Sequence, residues 1–196
     1  MIAILDYGSG NLRSAQRAFA TTGHEVKITS DLDVALKADG LVVPGVGAFA
    51  ACMDGINGIS AAEVIRERKN AGKATLGICI GMQILFSDGL EHGAHKGIGI
   101  WQGEVSQLKA PILPHMGWNT LESQAPSVLV EANQVQEHAY FAHSYFCPVV
   151  PSTTFTCEYG SVFSAVVEKD NVFGVQFHPE KSAQFGVGVI RKFVGL

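Results

Sequence analysis

The stretch TLGICIGMQ, residues 75–83, joins an apolar strand pattern to the start of a helix and places Cys79 between Gly77 and Gly81. A nucleophile elbow is such a strand-to-helix turn, and it needs small neighbours because the backbone folds closely around the reactive side chain. The start of the helix, with its free amides and positive dipole end, favours a thiolate at Cys79. The Ile80 amide is placed to donate to an oxyanion forming on a carbonyl under attack. Alone, the pattern fits a buried cysteine equally well.

A nucleophilic cysteine needs a base, and His178 is the strongest candidate. It follows the apolar strand pattern VFGVQF and precedes Pro179 and Glu180. Pro179 favours an extended backbone at His178, in which residues two apart face the same side, so Glu180 can hold one imidazole nitrogen while the other faces a thiol. The other histidines weighed as bases lie in polar or turn-like surroundings: His24, His92, His95 and His138. The sequence therefore predicts a nucleophile, a base and an orienting carboxylate at Cys79, His178 and Glu180.

The pattern around this turn predicts an α/β fold. Apolar runs at 2–5, 25–29, 40–45 and 74–79 alternate with helical patterns at 11–22, 31–38 and 59–70, and a further helix begins in IGMQILF. This alternation predicts right-handed crossovers and a mainly parallel central sheet with helices on both faces, hence three layers. From about residue 97, strand-like pieces predict added antiparallel strands, and a helix at 182–194 follows. We expect a single domain over residues 1–196.

Composition excludes several classes of partner. The formal net charge is −4 and no segment concentrates Lys or Arg, so we expect neither nucleic-acid nor membrane-surface binding. No apolar run approaches the ~20 residues that a membrane span needs. The four cysteines have no C-x-x-C spacing, which argues against a zinc site and a disulfide framework and favours a reducing cytoplasm: Cys52, Cys79, Cys147 and Cys157.

Three stretches in this order, PGVGAF, GICIGMQ and FGVQFHPEKS, resemble the triad-type (class I) glutamine amidotransferases over essentially the whole chain. Three more, DYGSGNL, PHMGWN and YFAHSYF, narrow the resemblance to the glutaminase subunits of histidine biosynthesis. The resemblance implies that Cys79 attacks the side-chain amide of glutamine, that His178 transfers the proton to departing ammonia, and that Glu180 orients His178. Ammonia would then pass into a separate cyclase subunit with a β/α barrel. The two subunits would form a heterodimer. No metal or organic cofactor is implied.

The resemblance also assigns roles around the triad. In PGVGAF, Val46 and Gly47 are candidates for the second oxyanion donor beside Ile80, and a peptide flip is thought to aim the amide in the family. The sequence does not decide which of the two amides points inward. The positions that match glutamine contacts are Gln83, Ser144 and Tyr145. Taken from the residues alone, Gln83 is also compatible with a surface glutamine, and YFAHSYF with an ordinary alternating strand.

The loop PHMGWN pairs Met and Trp with turn residues, and such side chains are favoured interface anchors when exposed. By resemblance this loop faces the cyclase beside the ammonia passage. The candidate contact residues are Asn11, Met116, Trp118, Tyr140 and Lys181.

Three other functions remain open on the sequence. A paralogous amidotransferase that supplies a different synthase, such as one amidating a surface sugar, would keep the same triad. A non-enzymatic subunit on this fold would be expected to have lost Cys79, His178 or Glu180, and all three are present. A stand-alone cysteine hydrolase would leave an exposed Trp and Met loop without a purpose.

Overall fold

Short apolar runs form the strands that build the centre of the molecule. The computed structural model describes residues 1–131 and 138–196. Within these ranges the strands, β1 to β14 in chain order, are Ile2–Leu5, Val26–Thr29, Gly40–Gly45, Ala74–Cys79, Phe86–Gly89, His95–Lys96, Trp101–Gln107, His115–Thr120, Glu122–Ser123, His138–His143, Tyr145–Phe146, Thr153–Tyr159, Ser161–Lys169 and Val172–Val175. β1 and β3 are buried at every position, as expected for strands covered on both faces.

The main sheet has eight strands in the order β2-β1-β3-β4-β14-β13-β12-β9. The first five are parallel, and the pairings from β14 to β9 are antiparallel. A two-stranded sheet, β8 with β10, and a four-stranded sheet, β11-β7-β5-β6, are added to it. The predicted architecture, a mainly parallel sheet extended by antiparallel strands, is therefore confirmed, although β5 pairs with β7 in parallel.

Helices cover both faces of the sheet. In the described residues, α1 to α6 are Leu12–Ala20, Leu32–Lys37, Phe49–Gly58, Ala61–Asn70, Ile80–Gln83 and Ala183–Val194, and Pro179–Lys181 is a 3-10 turn. α1 contacts α6, whereas α2 and α3 both contact α4. Right-handed crossovers that run in opposite directions along the sheet place these two groups on opposite faces.

The sequence prediction missed α3 and did not show where α5 ends. The first residue of α3 is Phe49, whose amide donates to Glu91 Oε2 at 2.7 Å, and Ala48 at the N-cap offers no capping side chain. The carboxylate that caps this helix therefore comes from Glu91, 42 residues beyond Phe49 in the chain. α5 ends after one turn, at Gln83, because the chain turns into β5 at Phe86.

Glycine contacts hold the turn after β4. A Cβ on Gly81 would lie 1.8 Å from the carbonyl oxygen of Val43, and one on Gly77 would lie 2.5 Å from the carbonyl oxygen of Gly81. A Cβ on Gly45 would lie 2.5 Å from the Gly81 amide nitrogen. The ends of β3 and β4 and the backbone of α5 therefore touch directly, as the glycine spacing around Cys79 predicts.

Among the described residues, none of the helices has both the length and the apolar character that crossing a membrane requires.

We predict that Gly81→Ala destabilises the fold by about 3 kcal/mol or more, because the added methyl group meets backbone atoms that cannot move independently. The matched control is Gly58→Ala, since a Cβ there meets no atom of residues 1–131 or 138–196 within 4 Å and the residue lies in α3. Urea unfolding of both variants measures the difference. Equal stability of the two variants would contradict the close contact.

Candidate active site

Cys79 lies at the carboxyl edge of the parallel strands in a strained backbone conformation. Its φ is 56° and its ψ is −112°, and it is the last residue of β4 and the residue before α5. Gly45, the end of β3, is its direct partner across the sheet. A non-glycine residue at positive φ costs free energy and is typical of reactive turns. The predicted elbow geometry at this cysteine is therefore present.

His178 and Glu180 are joined as the sequence predicts, by a different backbone path. His178 Nδ1 and Glu180 Oε1 are 2.8 Å apart, and both side chains are about 5% exposed. His178 itself is extended, but Pro179 to Lys181 form a 3-10 turn instead of the predicted extended run. Proline at the first position of such a turn is preorganised for it, and the turn brings Glu180 back to the imidazole.

The charge of His178 is set by its two partners. Burial lowers the pKa of His178, but hydrogen bonds to Cys79 and Glu180 and the charges of both raise it to about 10. An imidazolium between a sulfur and a carboxylate matches the arrangement of a nucleophile, a base and a carboxylate that orients the base. The backbone of His178 is fixed as well, because its amide donates to the carbonyl of Tyr140 at 2.9 Å.

Cys79 and His178 open into a pocket of about 280 Å³. Most of its wall comes from the ends of β3 and β4, the segment after β10, and the 3-10 turn. The lining residues are Val46, Gly47, Cys79, Ile80, Glu91, Pro114, Ala142, His143, Ser144, Tyr145, His178 and Lys181. The pocket brings together the candidate oxyanion residues and two of the three candidate substrate contacts. It also brings in Glu91, an acidic residue that the sequence did not single out.

The PGVG loop is held by Ser9. The Val46 amide donates to Ser9 Oγ at 3.3 Å, and Ser9 Oγ donates to the Val46 carbonyl at 2.8 Å. Cys52 Sγ is 3.2 Å from Ser9 Oγ and 3.6 Å from the same carbonyl. Cys52 therefore contacts the loop as well. The Val46 amide is directed at Ser9 Oγ.

Gln83 does not lie at the surface, nor does it line the pocket. Its side chain is fully buried, and its Nε2 donates to the Tyr145 carbonyl at 2.8 Å and to Gln176 Oε1 at 3.0 Å. Among the described residues, Gln83 Oε1 has no hydrogen-bond partner. The sequence left Gln83 compatible with a surface position, because burial of this side chain depends on residues far away in the chain. Its contact with a substrate stays a prediction.

Three of the predicted interface residues, Trp118, Tyr140 and Lys181, are adjacent to one another, and Met116 lies on the same strand as Trp118. Met116 and Trp118 are 65% and 52% exposed, and Tyr140 pairs with Trp118 across β8 and β10 with ring centroids 5.8 Å apart. The ammonium of Lys181 lies 5.7 Å from the centroid of the Tyr140 ring. Asn11 caps α1 by accepting a hydrogen bond from the Ser14 amide.

A buried histidine pair on the other face of β8 and β10 was missed. His143 Nδ1 lies 2.9 Å from the Tyr145 carbonyl, which can only accept, so Nε2 of the neutral ring accepts from His115 Nδ1 at 3.1 Å. His115 Nε2 faces Asn119 Nδ2 at 3.4 Å. Burial lowers the pKa of His115 to about 4 and that of His143 to about 3. The alternation in YFAHSYF could have indicated the inward side of His143, because Phe141 shares it.

The residues that the structure describes contain no group of three or more His, Cys, Asp or Glu side chains arranged to hold a metal ion.

The fold is shared with solved glutamine amidotransferases. A crystal structure of a glutamine amidotransferase superposes with a TM-score of 0.77 at 17% identity, covering 100% of this chain and 99% of that one. The structure of PurLQS from Thermotoga maritima gives a TM-score of 0.72 at 22% identity, with 99% and 97% covered. At these identities the likeness concerns the fold.

Sequence comparison identifies the family. The family model of the class-I glutamine amidotransferases matches residues 3–194, so the chain belongs to this family. The imidazole glycerol phosphate synthase subunit HisH of Mycobacterium tuberculosis is 50% identical over 198 residues, covering 98% of this chain and 96% of the relative. The protein of the same name from Corynebacterium efficiens is 46% identical over 204 residues, covering 98% and 97%. The resemblance stated from the motifs is thereby confirmed.

We predict that the histidine pair makes the fold acid-sensitive. Because burial lowers both pKa values, the unfolded chain binds protons more strongly, so the unfolding free energy falls as pH drops from about 6.5 towards about 4. His115→Gln removes one such group and should reduce this slope by up to about 1.4 kcal/mol per pH unit. Urea unfolding at several pH values measures it, with exposed His24→Gln as the control. An unchanged slope in His115→Gln would contradict the assignment.

Proposed function

We propose that this chain is the glutaminase subunit of an imidazole glycerol phosphate synthase, which hydrolyses glutamine and delivers the ammonia to a cyclase subunit in histidine biosynthesis. The observation that carries the proposal is His178 held between Cys79 and Glu180 at the edge of the sheet. Relatives that bear the name of this subunit, 45–50% identical over nearly their whole length, support the choice of pathway. We also propose that the whole chain acts as one domain, in the cytoplasm.

The first half of the reaction forms a thioester. The Cys79 thiolate attacks the side-chain carbonyl carbon of glutamine, giving a tetrahedral oxyanion. As the C–N bond breaks, the imidazolium of His178 gives its proton to the departing nitrogen, which leaves as ammonia. Glu180 keeps the proton-bearing imidazole oriented through Nδ1. The products of this half are a γ-glutamyl thioester on Cys79, ammonia and a neutral His178.

The second half releases glutamate. Neutral His178 takes a proton from water, and the resulting hydroxide attacks the thioester carbonyl. The C–S bond then breaks, the Cys79 thiolate leaves, and the imidazolium is restored.

Two backbone regions would stabilise the oxyanion. The Ile80 amide opens α5 directly after the nucleophile. The second donor would come from Val46 or Gly47, and the present direction of the Val46 amide towards Ser9 favours a resting state that lacks it. Each such donor is worth about 3 to 4 kcal/mol of barrier, so its absence would keep hydrolysis slow until a partner binds.

The glutamine would lie along Ser144 and Tyr145 with its amino-acid end near Glu91. Ser144 and Tyr145 line the pocket beside Cys79, and Glu91 lines it as well. A carboxylate is the natural partner of the substrate ammonium group. Gln83 holds the Tyr145 carbonyl from behind, so in this proposal it positions the segment that receives glutamine.

The cyclase, a separate β/α-barrel subunit, would cover the edge that carries Met116, Trp118 and Tyr140. Exposed aromatic and Met side chains in one cluster are typical anchors of protein interfaces. Asn11 and Lys181 lie at the same edge as the triad, since Asn11 and Glu180 line one small cavity and Lys181 lines the pocket. The cyclase would use the ammonia to form imidazole glycerol phosphate and aminoimidazole carboxamide ribotide.

We predict that Cys79→Ala and His178→Ala reduce glutamate release from glutamine by at least about 10³-fold, because each removes a member of one reacting unit. Activity is measured with the histidine-pathway cyclase and its phosphoribulosyl ligand present, and binding of the cyclase by calorimetry. Unchanged cyclase binding in both variants is the control for folding. Near-normal turnover in either variant would contradict the triad, and wild-type activity that ignores the cyclase would contradict the pathway.

We predict that Ser9→Ala raises the glutaminase rate of the isolated chain by about tenfold, a fraction of the ~10² that one oxyanion donor contributes. Removing the hydroxyl frees the Val46 amide and carbonyl to rotate. Ser9→Thr retains the hydroxyl and serves as the matched control. The rate is measured without cyclase. An unchanged or lower rate in Ser9→Ala would show that Ser9 does not restrain the loop.

A further inference from the structure

Gln176 is a buried side chain that the reaction described above does not use. It follows β14 and lies two residues before His178. Its side chain is fully buried, and its backbone amide donates to the carbonyl of Ala165 at 2.9 Å. Burying a side-chain amide costs free energy unless both of its ends find partners. Both ends of Gln176 have partners, and one of them is the nucleophile.

The direction of the Gln176 amide follows from its neighbours. The Tyr145 carbonyl can only accept hydrogen bonds, so the Gln83 group 2.8 Å away must be its nitrogen. That nitrogen also faces Gln176 at 3.0 Å, so the facing Gln176 atom is its oxygen. The remaining end of Gln176 is therefore its NH2 group, and it lies 3.7 Å from the sulfur of Cys79. This distance is within the range of a hydrogen bond to sulfur.

We propose that Gln176 is a further catalytic residue, whose Nε2–H donates to the Cys79 sulfur and stabilises the thiolate that attacks the substrate. A hydrogen bond to the charged form of a group favours that form. The donor is neutral, so it adds no second positive charge beside His178. When the C–S bond forms, the sulfur loses its charge and the hydrogen bond weakens; when the thioester is hydrolysed, the bond is restored.

The same chain of amides would connect the nucleophile to the pocket wall. Gln176 accepts from Gln83, Gln83 donates to the Tyr145 carbonyl, and Tyr145 lines the pocket. A shift of Tyr145 would thus change the position of the donor to the sulfur. This inference rests on the proposed function only for the identity of the substrate, because the sulfur contact can be tested without glutamine.

The test is the pH dependence of Cys79 alkylation by iodoacetamide in the full chain, followed at the Cys79 peptide by mass spectrometry. Gln176→Met removes the donor, and the pH of half-maximal rate should rise by about 1 unit or more, since hydrogen bonds to charged groups are the stronger ones. Gln176→Glu keeps an acceptor for Gln83 but replaces the donor with a negative charge, so the midpoint should rise further, by about 2 units. Gln124→Met, which loses an amide contact to Thr156 away from the site, should match the wild type.

The order of the variants separates a donor to sulfur from a merely structural amide. A structural role predicts that Gln176→Glu, equal in shape and still bonded to Gln83, resembles the wild type, while Gln176→Met is impaired. That order, or unchanged midpoints in both variants, would overturn the proposal. The glutaminase kcat should follow the same ranking, because a midpoint raised by one pH unit lowers the thiolate fraction at neutral pH by up to about tenfold.

The wild-type chain gives a measurement that does not depend on the folding of variants. The side-chain NH2 resonances of Gln176 should move with the same midpoint pH as Cys79 alkylation, and they should lose this movement once Cys79 is alkylated. Gln176 resonances that do not change with the protonation or alkylation of Cys79 would overturn the proposal. Absence of glutaminase activity in the wild type with the cyclase and its ligand present, together with these shifts, would instead count against the proposed function alone.

Discussion

The direct contact between the backbone of α5 and the ends of β3 and β4 is the constraint on which the rest of the site depends. Gly81 lies so close to the Val43 carbonyl that no side chain fits between them, and Gly45 and Gly77 complete the contact. This packing holds Cys79 at positive φ, a conformation that its own preferences disfavour. The free energy that holds the nucleophile in this conformation therefore comes from the sheet core, where β3 is buried at every position and β4 at all but its first.

Residues that act through short sequence separations were predictable. Cys79 with its glycines, and His178 with Glu180, each form one local motif, and alternation of strand and helix patterns defined the parallel sheet. Features that depend on distant residues were not predictable. α3 begins on a carboxylate supplied by Glu91, and its Gly55, which resembles a helix breaker, is required because a Cβ there would lie 2.3 Å from the Tyr7 carbonyl.

The amide pair Gln83 and Gln176 illustrates the same limit. The two residues are 93 positions apart, and neither has a local pattern that distinguishes a buried hydrogen-bonded amide from a surface one. The orientation of both side-chain amides depends on the Tyr145 carbonyl, which can only accept a hydrogen bond. This acceptor requires the Gln83 nitrogen to face it, and the Gln83 nitrogen in turn requires the Gln176 oxygen. Polar residues in the interior of this fold are thus specified by their partners, whereas the apolar core is specified by periodicity.

The ribbon of β8 and β10 has two faces with different contents. Trp118 and Tyr140 project outward, and His115, Phe141 and His143 project inward against the pocket wall. Side chains alternate along each strand, so a shift of the pairing register by one residue would exchange the contents of the two faces. The Tyr140 carbonyl also accepts a hydrogen bond from the His178 amide, so the main chain of the base is attached to β10. Displacement of β10 at Tyr140 would therefore also shift the main chain of His178.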